Sequence, residues 1–235
     1  MPRNPISILY EDNHSIVVHK PAGMLTQGDA TGDVSIMDEV KEYLKTTYHK
    51  PGNVFLGLVH RLDRPVEGVV VFGKTSKGAA RLSEQFRAHS VRKIYQAVVH
   101  GALTQQTGAL KHYILKNKAT NVVSVFEAAQ VGAFDAKLRY RVLQSNGRYS
   151  FLEIELDTGR PHQIRAQLAH IGHPIVGDLK YGSPEKPRDG AIALAAVRLT
   201  FTMPTQAKER TVAIATPLWW QDFVAFQPVD NSLHK

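Results

Sequence analysis

A short charged segment, His60-Arg61-Leu62-Asp63-Arg64, comes shortly before four consecutive apolar residues, Val69 to Phe72. The apolar run predicts a buried β-strand, so the charged segment is expected to form a loop anchored to a sheet. Asp63 lies between two arginines and near a histidine, which favour its ionised form. Such a carboxylate is well placed for covalent or acid/base chemistry. The alternative is a surface turn in which Asp63 only makes an ion pair.

The chain has 235 residues, of which 43% are hydrophobic, enough for one large domain or two intimately joined halves. We expect a single domain, 1–235. The net charge of +8 predicts a polyanionic partner. Much of the excess lies between His60 and Lys93, where eight Lys and Arg residues oppose three carboxylates.

The sequence contains no cysteine, which excludes disulfides and thiolate metal sites and favours a reducing compartment. We find neither a signal peptide nor an apolar run long enough to span a membrane. A soluble cytoplasmic protein without membrane association is therefore expected.

Three helices are expected from apolar spacing and from end signals. Ser35 and Asp38 form a capping box before a helix that ends ahead of Pro51. Ser76 is the expected N-cap of a helix to about His89. Gly159-Arg160-Pro161 is expected to open the third, with Gly172 as its C-cap.

Strands are expected where apolar, β-branched and aromatic residues cluster between turn residues. The expected strands are 6–10, 15–19, 69–72, 94–99, 122–126, 138–143, 149–156, 192–201 and 211–215. The polar segment 101–121 is expected to be irregular, with one short strand around Tyr113. This strand-rich pattern favours an α+β fold with a mostly antiparallel sheet.

Gly68-Val69-Val70-Val71-Phe72-Gly73-Lys74-Thr75 matches the phosphate-binding loop pattern letter for letter. A phosphate loop follows its strand and needs permissive residues, whereas Val-Val-Val-Phe favours the strand itself. We therefore expect no nucleotide site here. His162 and His170 are eight residues apart on the expected helix, too far for a shared metal, and His173 lies beyond its end, so we expect packing histidines and no metal site.

Three further segments lie along the chain: Ile8–Asp12 through Lys20–Met24, then Arg92-Lys93-Ile94-Tyr95-Gln96-Ala97, and Leu156-Asp157-Thr158-Gly159-Arg160-Pro161-His162-Gln163-Ile164-Arg165 running into His170–Asp178. With the Asp63 segment, they resemble the sequence signatures of the RluA-type pseudouridine synthases. The resemblance spans residues 6 to about 200. It implies a bent, mostly antiparallel β-sheet flanked by helices, with a central catalytic cleft.

The resemblance implies isomerisation of uridine to pseudouridine in tRNA or rRNA stem-loops, without a cofactor. Asp63 matches the catalytic aspartate, and Arg165 the arginine that pairs with it and keeps it ionised. Tyr95 matches the aromatic residue that stacks on the target base. Arg61 matches the side chain that enters the stack when the base leaves, and Arg64 helps to shape the loop.

Further RNA contacts are expected from basic residues around this site. They are Arg64, Lys77, Arg81, Arg87, Arg92 and Arg160. For the three on the second helix, a solvated face and phosphate contact both remain open.

One departure from the family pattern is visible: Val66-Glu67-Gly68 stands where the family usually has Thr-Ser-Gly. Glu67 either faces solvent harmlessly or repels a phosphate. The family's frequent N-terminal RNA-binding module is also not expected, because the first strand of the catalytic domain begins at about Ile6. We expect a monomeric enzyme. The competing hypothesis is a non-catalytic RNA-binding or assembly factor that retains the fold.

Overall fold

The computed structural model describes residues 6–226, and within this range eleven strands and three α-helices follow one another along the chain. The strands are β1 Ser7–Glu11, β2 Ser15–Lys20, β3 Gly57–Leu58, β4 Glu67–Gly73, β5 Arg92–His100, β6 Thr107–Asn117, β7 Val122–Phe126, β8 Phe134–Ser145, β9 Tyr149–Leu156, β10 Leu194–Thr202 and β11 Glu209–Ala213. The helices are α1 Ile36–Thr47, α2 Ser76–Arg87 and α3 Gln163–His170, and Leu179–Tyr181 and Leu218–Asp222 form short 3-10 helices.

The described chain divides into two compact units. The first comprises 6–91 and 198–214, and the second comprises 92–197 and 215–226. Strand β10 contributes its first residues to the second unit and the rest to the first.

In the first unit the strand order is β1-β2-β4-β10, with β3 on β4 and β11 on β10. The pairs β1/β2, β2/β4, β3/β4 and β10/β11 are antiparallel. Helix α2 packs tightly on β4, since a Cβ atom added to Gly73 would lie 2.5 Å from backbone atoms of Ala79. The core consists of Val17, Val69, Val71, Leu82, Val91, Leu199, Phe201 and Val212.

In the second unit the order is β10-β5-β9-β8-β6-β7, and the pairs from β5 onward are antiparallel. One core cluster joins α3 to the sheet through Ala166, Ile114, Val123 and Ala136. The mostly antiparallel strands and few helices confirm the α+β class.

The structure confirms most expected strands and corrects four local expectations. The N-cap of α2 is Thr75, not Ser76; its hydroxyl accepts a hydrogen bond from Gly78 N. Helix α3 begins only at Gln163, because His162 adopts a left-handed backbone with φ of 50°. Its C-cap is Ile171, and Gly172 follows in the left-handed conformation with φ of 84°.

The fourth correction concerns segment 101–121, which contains the eleven-residue strand β6 and not one short strand. The first six residues of the phosphate-loop pattern lie in β4, where Val69 to Phe72 are buried. Thr75 of that pattern caps α2, and the Nζ atom of Lys74 donates to Asp12 O at 2.7 Å.

Within residues 6–226, no helix has the length and apolarity needed to cross a membrane.

Candidate active site

Asp63 lies in a loop of the first unit whose neighbouring peptides are held by buried side chains. The Thr26 hydroxyl donates to Leu62 O at 2.9 Å and accepts from Leu62 N at 3.1 Å. Both side chains are buried, whereas Asp63 is half-buried. Val66 N donates to Asp63 O at 3.0 Å, which closes a turn. The backbone around the half-buried Asp63 is therefore fixed.

Lys20 anchors the same loop from beneath. It is fully buried, and its Nζ atom donates to the carbonyl oxygens of Pro21, Met24 and Arg64 at 2.9, 2.7 and 3.3 Å. Burial lowers the pKa of Lys20 to about 7, although the Asp63 carboxylate acts to raise it. The sequence shows Lys20 in the segment before Pro21, but no sequence pattern indicates that its ammonium group binds three backbone carbonyls.

Two other residues of the loop are held by specific contacts. His60 Nε2 accepts from Val71 N at 3.0 Å, and its ring stacks on Phe86 with centroids 4.5 Å apart. Arg64 Nε donates to Gly23 O at 2.9 Å, and its Nη2 lies 2.7 Å from Asp33. Arg61 is exposed.

Glu67, the departure from the family pattern, lies beside His19. Its carboxylate is 3.5 Å from His19 Nε2, and the Glu67 side chain is only 17% exposed. Of the two alternatives for Glu67, a side chain that faces solvent does not fit this environment.

The second unit holds Arg165 in a buried ion pair with Asp178. Arg165 Nε and Nη2 donate to the two carboxylate oxygens at 2.6 and 2.8 Å. The side chains are 6% and 1% exposed. The guanidinium also lies 5.1 Å from the centre of the Tyr181 ring. Asp178 ends one of the segments that resemble the family, but its sequence position alone indicated no role.

The start of α3 is fixed by a hydrogen-bond network around Gln163. Its Oε1 accepts from Thr158 Oγ1 at 2.8 Å and from Arg160 N at 3.0 Å, and its Nε2 donates to Lys137 O at 3.0 Å. This network sets the position of Arg165, two residues further along the helix.

Tyr95 lies in the middle of β5, opposite Ile154 of β9, and is partly exposed. Lys93 lies two residues earlier and so projects from the same face of the strand. It is buried, and burial lowers its pKa while Asp157 acts to raise it.

The expected RNA-binding residues have different environments. In the first unit Lys77, Arg81 and Arg87 are exposed on α2, and Arg81 Nη1 donates to Pro204 O. In the second unit Arg92 Nε donates to Glu155 at 2.8 Å, and Arg160 lies over the Phe134 ring at 5.1 Å.

Arg92 belongs to an ion-pair ladder on one face of β5, β9 and β8. Arg139 pairs with Glu155 and Asp157, and Arg141 pairs with Glu153. Positive charge on this face is therefore largely compensated.

A family model described as RNA pseudouridylate synthase matches residues 14–170. The chain belongs to the RNA pseudouridylate synthase family and is an isomerase that acts on RNA. The match supports a catalytic protein over a non-catalytic factor that keeps the fold.

Individual relatives agree with this assignment. The tRNA pseudouridine synthase C of Salmonella typhi is 34% identical over 208 residues, covering 83% of this chain and 76% of the relative. That of Haemophilus ducreyi is 32% identical, covering 92% and 93%. The ribosomal large subunit pseudouridine synthase D of Pseudomonas aeruginosa is 34% identical, covering 75% and 53%.

Among solved structures, human RNA pseudouridylate synthase domain containing 4 matches with a TM-score of 0.75 and 24% identity. The match covers 91% of this chain and 90% of that chain, which shows the common fold.

Proposed function

We propose that the chain isomerises specific uridines in structured tRNA or rRNA, acting as a monomer in the cytoplasm with residues 1–235 as a single catalytic domain. The curated relatives carry names of tRNA and large-subunit rRNA enzymes from bacteria, which supports this substrate class and compartment. The extent of the match to the Haemophilus ducreyi relative, 93% of its length, favours a tRNA substrate over rRNA.

The reaction breaks the C1′–N1 bond of uridine and joins C1′ to C5. The proton on C5 leaves and N1 gains one, so no atom is added and the proposal requires no cofactor. Asp63 is the proposed nucleophile, by attack on the sugar or the base or by promoting elimination at the sugar. The observation that carries this assignment is the loop itself, in which Lys20 and Thr26 fix the backbone on both sides of the half-buried Asp63.

Tyr95 is proposed to stack on the uracil and to assist removal of the C5 proton. Arg165 is proposed to stabilise the ionised Asp63, and its bond to Asp178 supports this by fixing the guanidinium. Binding Asp178 is compatible with stabilising Asp63, since a guanidinium carries five N–H donors and the Asp178 carboxylate accepts from two of them.

Arg61 is proposed to enter the stack when the target base leaves it, because a base cannot be reworked while it is held between its neighbours. The exposure of Arg61, beside the fixed peptide of Leu62, supports this role. Arg64, Lys77, Arg81, Arg87, Arg92 and Arg160 are proposed to contact the RNA backbone.

The test is pseudouridine formation, detected as a carbodiimide adduct on total tRNA and rRNA from cells that lack or express the protein. Asp63→Asn should abolish the adducts that appear only when the protein is expressed, while RNA affinity is retained, since losing an essential nucleophile lowers rates by many orders of magnitude. Asp222→Asn, an exposed control, should leave them unchanged. If Asp63→Asn keeps more than about one per cent of the activity, Asp63 is not the nucleophile.

A further inference from the structure

Three potential metal ligands converge in the second unit, apart from the residues assigned to catalysis. His112 lies in β6, Glu127 directly follows β7, and His170 is the last residue of α3. One ligand atom from each lies within 4.8 Å of the others. His170 Nε2 is 2.8 Å from Glu127 Oε1, and His112 Nε2 is 3.6 Å from the same oxygen.

We propose that His112, Glu127 and His170 bind one zinc ion that joins β6, the end of β7 and the C-terminal end of α3. Two imidazoles and a carboxylate are ligands that zinc accepts, with a water molecule in the fourth position. The expectation from sequence excluded a metal because it considered only histidines near α3. His112 and Glu127 come from strands that only the fold brings to His170.

The cluster has one rigid ligand. His112 is 6% exposed, and its Nδ1 atom lies 3.1 Å from Gln167 Nε2, which also donates to Ala136 O at 3.1 Å. The Gln167 contact leaves Nε2 of the His112 ring facing Glu127. Gln167 and His170 are three residues apart on α3, so the same helix face supplies a supporting residue and a ligand.

Metal binding through Nε2 requires a hydrogen on Nδ1 of His112, and that hydrogen needs an acceptor. Gln167 Oε1 is buried and has no hydrogen-bond partner within residues 6–226. Turning the amide over places this oxygen on Nδ1 at the expense of the bond to Ala136 O. Gln167 therefore supplies the acceptor that a zinc-bound His112 needs.

The other two ligands can adjust. The side chains of Glu127 and His170 are 74% and 34% exposed. Tetrahedral zinc with bonds of about 2.0–2.1 Å places its ligand atoms about 3.3 Å apart, so these exposed groups need to move by only an ångström or two.

The test is titration of the full chain with zinc chloride by isothermal calorimetry near neutral pH. We expect one site per chain, and a melting temperature about 5–10 °C higher at a hundredfold excess over Kd. Glu127→Gln and His170→Gln change exposed ends and should each weaken binding at least about tenfold. His89→Asn, at an exposed left-handed position, should bind like the wild type.

Equal zinc affinity in the wild type, Glu127→Gln and His170→Gln would place the metal elsewhere and overturn the proposal. The absence of binding by the wild type up to about 100 µM zinc would also overturn it, since sites with three protein ligands bind far below that concentration. Magnesium should not compete, because it prefers oxygen ligands. Competition by magnesium at equal concentration would contradict a site built on two imidazoles.

Discussion

Asp178 is buried against Arg165 with both oxygens engaged, so removing its charge breaks an ion pair between two buried side chains. Breaking one side of a buried pair costs about 3–5 kcal/mol. We expect Asp178→Asn to lower the free energy of unfolding by about 3 kcal/mol, measured by urea denaturation.

The control is the exposed pair of Arg188 and Asp222, whose side chains are 55% and 64% exposed. Exposed pairs contribute about 1 kcal/mol or less, so Asp222→Asn should change stability little. Equal losses in Asp178→Asn and Asp222→Asn would mean that the buried pair contributes no more than a surface contact.

Lys20 links the stability of the Asp63 loop to pH. Its pKa falls from 10.5 to about 7 on folding because of burial. Between these values the unfolded chain binds the extra proton, so the free energy of unfolding rises with pH. We expect the free energy of unfolding of the wild type, minus that of Lys20→Met, to rise by about 1.4 kcal/mol per pH unit above pH 7.

Urea denaturation of both proteins at about pH 7, 8 and 9 measures this difference, with Lys50→Met as an exposed control that should give no such slope. A difference that stays constant across the series would contradict the prediction. It would indicate that the three carbonyl contacts keep Lys20 charged throughout.

At the scale of elements, the loop that carries Asp63 is held at Leu62 by one hydroxyl, that of Thr26. Thr26→Val keeps the shape of the side chain but leaves Leu62 N and Leu62 O without a partner in a buried site. We expect kcat to fall by at least about tenfold, since small displacements of a reacting group reduce rates strongly, with RNA affinity nearly unchanged. Single-turnover kinetics and filter binding measure the two quantities.

The matched control is Thr46→Val, on the exposed side of α1, where the hydroxyl only donates to Glu42 at 3.3 Å. It should leave kcat unchanged. A Thr26→Val enzyme with normal kcat and lowered stability would show that Thr26 supports the fold without positioning Asp63.

Elements with a strong local signal were predicted well, and those without one were not. Strand β4 has an apolar run, and α1 has a capping box between Ser35 and Asp38 that the structure confirms. Burial alternates along β6, but its inward positions include Gly108, His112 and Lys116, so the sequence lacks the apolar alternation that marks a half-buried strand. Helix α3 starts late because His162 has a left-handed backbone. The His162 ring also contacts the Tyr181 hydroxyl, and this tertiary contact cannot be read from local sequence.

At the scale of the whole molecule, the motif residues Asp63, Tyr95 and Arg165 were identifiable from the sequence because each lies in a recognisable segment. Their supporting residues were not, because Asp178, Thr26 and Lys20 act through contacts between distant parts of the chain. The contact between Lys20 and Arg64, for example, spans 44 residues. Local patterns therefore indicated where chemistry is expected, but not how its residues are held.

The chain has a net charge of +8, but some of its arginines are paired with carboxylates and others are not. This pairing affects how readily each arginine binds phosphate. Arg141 is paired with Glu153 at 3.0 Å, whereas Arg87 is exposed in the last turn of α2. Displacing counterions from phosphate gives RNA affinity its salt dependence. We expect an arginine that is not already neutralised to contribute most to this dependence.

We therefore expect Arg87→Gln to flatten the plot of log affinity against log salt by about 0.7–0.9, as the loss of one phosphate contact requires. Arg141→Gln removes the same charge and should leave the slope unchanged. Filter binding at several potassium chloride concentrations compares both variants with the wild type on one tRNA. If Arg141→Gln flattens the slope and Arg87→Gln does not, the RNA lies on the ion-pair ladder of β8 and β9 and not on α2.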